Sequence, residues 1–227
     1  MDETIRAVIL LVIGWGLGIL STFLSAWLQI RQEQRKARIE RESEIRRRLV
    51  GDLIQTSEVM TFIEAARKRG EQPDLSRAKL ASVDLRYQNL QKVKLYRAIL
   101  DGADLNGANL QDADLSKASF RDAKLYGAKL QKANLMRARL SEARMKQADL
   151  SGANLEVAEM QKAYLREAIL HEANLQEANL EDADLTNADF TKANLRKANL
   201  RGAKLDGAKL TDAILTHAIM PDGSPHE

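Results

Sequence analysis

From position 75 to position 220 every fifth residue is apolar: 25 Leu, three Met and two Phe in 30 consecutive matches, with no slip in register. Two residues before these, every position from Ala98 to Ala218 is Ala, and the other three places in each unit are mostly polar. Five helical steps of about 100° turn successive Leu residues by ~140°, so they would scatter around a helix and form no face. In a flat strand an odd period sends successive Leu residues to opposite faces. The pattern closes only if Ala and the Leu two residues later share one side of a short extended piece, and a bend then turns the next unit inward. The chain over residues 73–220 is therefore expected to coil around its own Leu and Ala.

Two other patterns precede the repeat. Ala7–Ile30 holds 24 residues without an ionisable side chain, enough as a helix to reach roughly 36 Å and cross a ~30 Å hydrocarbon layer. The leader carries Asp2, Glu3 and Arg6, unlike the basic leader of a cleaved signal, so an uncleaved anchor is expected over residues 1–30. Residues 31–50 hold eight Arg or Lys against four Glu, which places the following domain in the cytoplasm and predicts contact with membrane lipid. Residues 31–72 read as a helical segment that becomes amphipathic late. Ile45, Leu49, Leu53, Val59, Met60, Phe62, Ile63 and Ala66 recur at roughly three- and four-residue steps, and Arg67–Gly70 supplies a basic last turn and a glycine stop. Such a stripe, within Asp52–Arg69, is expected to cap the first coil. Residues 221–227 read as a polar tail.

The runs A-D-L-N-G-A-N-L-Q-D-A-D-L at Ala103–Leu115 and A-N-L-Q-E-A-N-L-E-D-A-D-L at Ala173–Leu185 resemble the pentapeptide-repeat family, A-[DN]-L-x-x. The resemblance implies an all-β, right-handed quadrilateral β-helix with four units per coil. Leu and Ala would lie inside and the other three positions outside. It also implies a bacterial source, since such proteins are chiefly prokaryotic. Thirty units then make about seven and a half coils, a rod of roughly 35 Å at ~4.8 Å per coil. Val83, Gln88 and Val93 stand where Ala is expected, so either the first coils are distorted or Gln88 reaches a backbone group.

Composition narrows the functional classes. Aromatic residues make up only 4%, Cys is absent and the net charge is +3. No disulfide or zinc-thiolate site can form. No G-x-S-x-G, P-loop, H-E-x-x-H or Rossmann glycine pattern occurs, so a non-catalytic chain with no cofactor or metal is expected. Charge is banded: Arg121–Lys146 carries eight bases against two acids, Asp149–Asp189 ten acids against two bases, and Lys192–Lys209 six bases against one acid.

Three candidate contact sites follow. A 20-residue coil stacks Arg77, Arg97, Lys117 and Arg137 on one corner, a basic ladder whose like charges call for an offsetting anion or partner. Gly14, Gly18 and Thr22 leave a small-residue face on the membrane helix for close helix contact. Ile214 and Ile219 add apolar surface to a last coil that no coil covers, a candidate end-to-end homodimer contact.

The function expected is a single-pass inner (plasma) membrane protein presenting a solenoid in the cytoplasm as a scaffold for an unidentified protein partner. The alternative, implied by the resemblance, is DNA mimicry that inhibits or protects a topoisomerase such as DNA gyrase. Residues 74–220 hold 23 basic and 20 acidic groups, whereas a mimic needs negative potential along its length. Direct nucleic-acid binding is not expected either, for the chain shows no recognition helix or aromatic platform.

Overall fold

The computed structural model describes Trp27, residues 29–36 and residues 56–227. The expected membrane span, with Gly14, Gly18 and Thr22, lies outside the described residues apart from its last turn. The chain divides into two compact units, Met1–Arg47 and Arg48–Glu227. In the first, residues 29–36 are helical and the Arg31 guanidinium sits 4.8 Å from the centre of the Trp27 ring. No helix among the described residues is long and apolar enough to cross a membrane.

The second unit is a β-solenoid closed at one end by a helix. Every fifth residue from Asp74 to Asn199 pairs in parallel with the residue twenty places later, as in Asp74↔Lys94, Lys79↔Ile99, Asp84↔Asp104 and Asn89↔Asn109. Four five-residue units therefore complete one coil, and the coil has four faces. We call them first to fourth, centred on Leu75, Leu80, Leu85 and Leu90 and their successors at 20-residue intervals. The Leu and Ala positions fill the interior. Every Leu, Met or Phe site from Leu75 to Leu200 is at most 1% exposed, and so is every Ala site from Ala98 to Ala198.

Each unit has the same local machinery. The Leu100 N–H donates to Ser119 O at 2.7 Å, Ser119 N–H donates to Ala98 O at 2.9 Å, and Ala103 N–H closes the corner onto Leu100 O at 3.0 Å. The second residue after Leu sits in the left-handed region, with φ near +60° in nearly every unit. Glycine takes that position at little cost, but Lys, Arg, Glu and Asp also hold it here. The residue before Leu explains the Asp/Asn preference. Its Oδ1 accepts the N–H two places on, as Asp74 does from Ser76 at 2.9 Å and Asn109 from Gln111 at 3.1 Å, an Asx turn that pre-forms the bend. Stacked Asn residues also bond one another: Asn174 Nδ2 donates to Asn154 Oδ1 at 3.3 Å and Asn194 Nδ2 to Asn174 Oδ1 at 3.0 Å.

The N-terminal end is covered as expected by α1, Thr56–Lys68, which buries Val59, Phe62, Ile63 and Ala66. Its polar groups also replace the missing coil. Thr56 Oγ1 donates to Asp84 O and Arg67 Nη2 to Gln91 O at 3.0 Å. The equivalent carbonyls one coil later, Asp104 O and Gln111 O, accept from Leu85 N and Lys92 N. The first coil is regular, so distortion is ruled out and Gln88 takes the other course. It lies half-buried at the junction with Nε2 3.3 Å from Arg86 O, while Val83 and Val93 are buried like the Ala they replace.

The C-terminal end differs. Leu205, Leu210, Leu215 and Met220 are half-buried, unlike their predecessors. The tail turns back at Gly223 and pairs antiparallel, Ile219↔Pro225, with Met220 N–H donating to Ser224 O at 2.7 Å and His226 N–H to Ala218 O at 2.7 Å. It covers one stretch of the last coil's edge and leaves the third and fourth faces of that coil open.

Candidate functional site

The outer surface is where this fold can act, because its interior is filled with aliphatic and aromatic side chains. The ladder Arg77, Arg97, Lys117 and Arg137 is a true column. All four are exposed, with φ between 57° and 64°, and each backbone N–H of the first three reaches one coil forward, to Tyr96 O, Ser116 O and Met136 O. The repulsion expected between them is partly offset inside the chain. Tyr96 lies beside this column, with Arg97 5.3 Å and Lys117 5.7 Å from its ring centre. A π face within about 6 Å of a cation attracts it. Higher in the column Lys197 pairs with Glu177 at 3.4 Å.

The charge bands are girdles around the rod. Of the eight bases in the first band, Lys124 pairs with Asp104 at 3.5 Å and Lys146 with Glu167 at 3.5 Å, both partners lying outside the band. No other ion pair of that band is present among the described residues. Lys209–Asp189 at 3.7 Å and Lys192–Glu172 at 3.9 Å tie the acidic band to the second basic band. Ile214 and Ile219 are exposed on the last coil, in the columns expected, and Ile219 carries the bridge to Pro225.

Carboxylates on the surface are held ionised by their neighbours. Asp84 receives Arg86 Nη2 at 2.6 Å and Nε at 2.9 Å, and the Arg86 backbone N–H at 3.1 Å. These bonds lower its pKa from 3.8 to about 2. Gln147 Nε2 at 2.7 Å, with Lys146 nearby, lowers that of Glu167. At Asp184 burial opposes ionisation, but Thr186 Oγ1 at 2.6 Å and the Thr186 N–H outweigh it and the pKa falls. A depressed pKa stabilises the fold above the unfolded value and loses that contribution as pH falls towards the folded one. An NMR titration of Asp84 should give a midpoint of about 2, and Arg86→Ala should return it towards the ordinary carboxylate range.

Two open grooves flank the junction of α1 with the first coil. One of about 450 Å³ is lined by Thr56, Asp84, Arg86, Tyr87 and Gln88. The other, of about 530 Å³, runs from Arg67 to Lys92 past Pro73. Neither assembles a nucleophile with a base, and among the described residues no group of three or more His, Cys, Asp or Glu is placed to hold a metal.

The sequence model for pentapeptide repeats matches residues 78–117, 118–156, 148–187 and 183–220. The chain belongs to the pentapeptide-repeat family. No curated protein matches it. Among solved structures, a trypsin-treated form of QnrB1, a plasmid-mediated fluoroquinolone resistance protein, superposes with a TM-score of 0.58 at 19% identity, covering 65% of this chain and 79% of that one. The similarity there is one of fold. HetL, a pentapeptide repeat protein involved in heterocyst differentiation regulation from the cyanobacterium Nostoc sp. strain PCC 7120, is 34% identical over 76% of this chain and all of its own, with a TM-score of 0.26. A thylakoid-lumen pentapeptide repeat protein from Arabidopsis thaliana is 30% identical over 52% of this chain and 68% of its own, with a TM-score of 0.24. This family's repeats form a right-handed β-helix, and nothing in the comparisons points to enzyme activity.

Proposed function

We propose that this pentapeptide-repeat protein is a membrane-anchored, non-catalytic scaffold whose solenoid presents protein-binding surfaces in the cytoplasm. The observation that carries the reading is the division of labour in each coil. Inward positions are filled by Leu and Ala, while three positions per unit face outward and carry charged side chains, several of them, such as Arg121, Arg137, Arg139, Glu159 and Glu181, without an ion pair among the described residues. The anchor is supported by the uncharged stretch Ala7–Ile30 and the basic run that follows it. A GFP fused to the C-terminus should fluoresce, and an alkaline phosphatase fused there should be inactive. An active phosphatase would overturn the orientation.

The acidic girdle Asp149–Asp189 favours a second reading, DNA mimicry directed at a topoisomerase such as DNA gyrase. Against it, the acidic stretch covers only about two coils, and basic girdles stand on both sides. Crosslinking and pull-down of the full chain from intact membranes separates the two: membrane-associated protein partners favour the scaffold, and a captured topoisomerase favours mimicry.

A further inference from the structure

Where the first and second faces meet, the outward side chains are sorted by charge along the axis in a way that the repeat does not require. Three neighbouring columns make up this strip: the ladder column of Lys117 and Arg137, the bridged column Ser119↔Arg139↔Glu159↔Asn179, and the column of Arg121 and Glu181. Rows 117–121 and 137–141 carry Lys117, Arg121, Arg137 and Arg139 and no outward acid. The next two rows, 157–161 and 177–181, carry Glu159, Glu177 and Glu181 and no base. Among the described residues Arg121, Arg137, Arg139, Glu159 and Glu181 have no ion pair, so these charges are not spent on one another.

We infer that this strip is a self-complementary surface on which a second copy of the chain docks side by side and antiparallel. A twofold axis across the strip, between rows 137–141 and 157–161, makes every column face itself with its rows reversed. Arg139 then faces the second copy's Glu159, Lys117 faces its Glu177 and Arg121 faces its Glu181, and symmetry repeats each pair. One row further out Asp101 faces Arg201. The like-charge juxtaposition within the strip is Arg97 against Lys197; Arg97 lies over the Tyr96 ring that it shares with Lys117, and Lys197 shares Glu177 with the second copy's Lys117. At the next corner Glu142 faces Lys162 and Asp122 faces Asp182, which cancel. A parallel pair about a twofold along the rod would instead set every row against itself, Arg139 on Arg139 and Glu159 on Glu159.

The middle of the strip is low and already ordered. Ser141 Oγ and Gln161 Oε1, 2.9 Å apart, join the two rows across the axis, and Val157 between the charges is half-buried. Exposed ion pairs are individually weak and screened by salt, so the association is strongest at low ionic strength and dissolves as salt rises.

Because the chain has no cysteine, introduced thiols report the register directly. The test uses the full chain in a nonionic detergent, as differently tagged Lys117→Cys and Glu177→Cys variants. Mixed at low salt and oxidised, they should give a disulfide-linked dimer carrying both tags. Neither should crosslink alone, because like positions lie about three coil spacings, ~14 Å, apart in this arrangement, too far for a disulfide. Crosslinking of Lys117→Cys with itself, or none in the mixture, overturns the inference. Charge reversal is the second arm. Arg121→Glu with Arg139→Glu in one chain, or Glu159→Arg with Glu181→Arg in another, should each leave monomers, and mixing the two should restore a heterodimer. Dimers that persist in both reversed chains alone would assign association to another contact, such as Ile214 and Ile219 on the last coil, and would overturn it as well.

Discussion

Leu150→Ala is expected to lower stability by about 2–5 kcal/mol, the cost of lost burial plus the cavity left behind. Leu150 is completely buried in mid-rod, between coils that cannot collapse onto it without breaking the ladder bonds on either side. Ala148→Leu should cost about 1–3 kcal/mol for the opposite reason, since the inward Ala site is completely buried and the extra volume must displace a neighbour. Lys129→Ala, on the outside of the same fold, should stay within about 0.5 kcal/mol. Denaturant melts of the three variants check the order. Hydrogen exchange adds a sharper readout, because each coil touches only its neighbours: the newly exposed amides should cluster within one coil of position 150. Equal shifts for inward and outward substitutions would contradict the register.

Ile63→Asp is expected to release the cap. Ile63 is completely buried where α1 meets the first coil, and a carboxylate there must either be protonated or pull the helix away. With α1 gone, the carbonyls of Asp84 and Gln91 lose their donors and an apolar coil end meets solvent. An unpaired strand edge beside apolar side chains invites pairing with other chains. The variant should therefore lose protection first at Leu75–Leu95 and aggregate at concentrations that leave the parent chain dispersed. Light scattering with residue-resolved exchange follows both. Thr56→Ala, which removes one donor and leaves the apolar contact, should loosen the junction by about 0.5–1.5 kcal/mol without aggregation.

The core was legible because it is the part of this fold that repeats. Leu at every fifth position and Ala two before it forced a coil with those residues inside, and α1 announced itself by an apolar stripe running from Ile45 to Ala66, of which Val59, Phe62, Ile63 and Ala66 are the residues α1 buries. What was hard to read lies in backbone geometry and long-range pairing. The positive φ of Lys117, Arg137 and Glu177 is invisible because those side chains do not favour it; the corner imposes it. The return of the tail onto Ile219 carried a signal, Asp222-Gly223, whose turn-forming tendency is a local one, but its partner strand could be known only from the coil it completes. The candidate ladder fell in one column as expected, whereas Tyr96 as its offsetting group was missed: a ring one residue before Arg97 reads as an isolated exposed aromatic. The charge bands were visible along the chain. Their arrangement on one strip emerges only when residues are indexed by twenty.

That indexing has a consequence for how such a chain can change length. Inserting twenty residues adds a storey and returns every later side chain to the face it had before. Inserting five leaves the Leu and Ala interior intact, so the chain still folds, but it rotates everything downstream by a quarter turn: Glu159 and Glu181 would leave their strip for the adjoining face while Arg121 and Arg139 stayed behind. Core and surface thus obey different arithmetic, multiples of five for folding and multiples of twenty for keeping a face. A duplication of one, two or three units is structurally silent and still scrambles whatever the outer columns recognise.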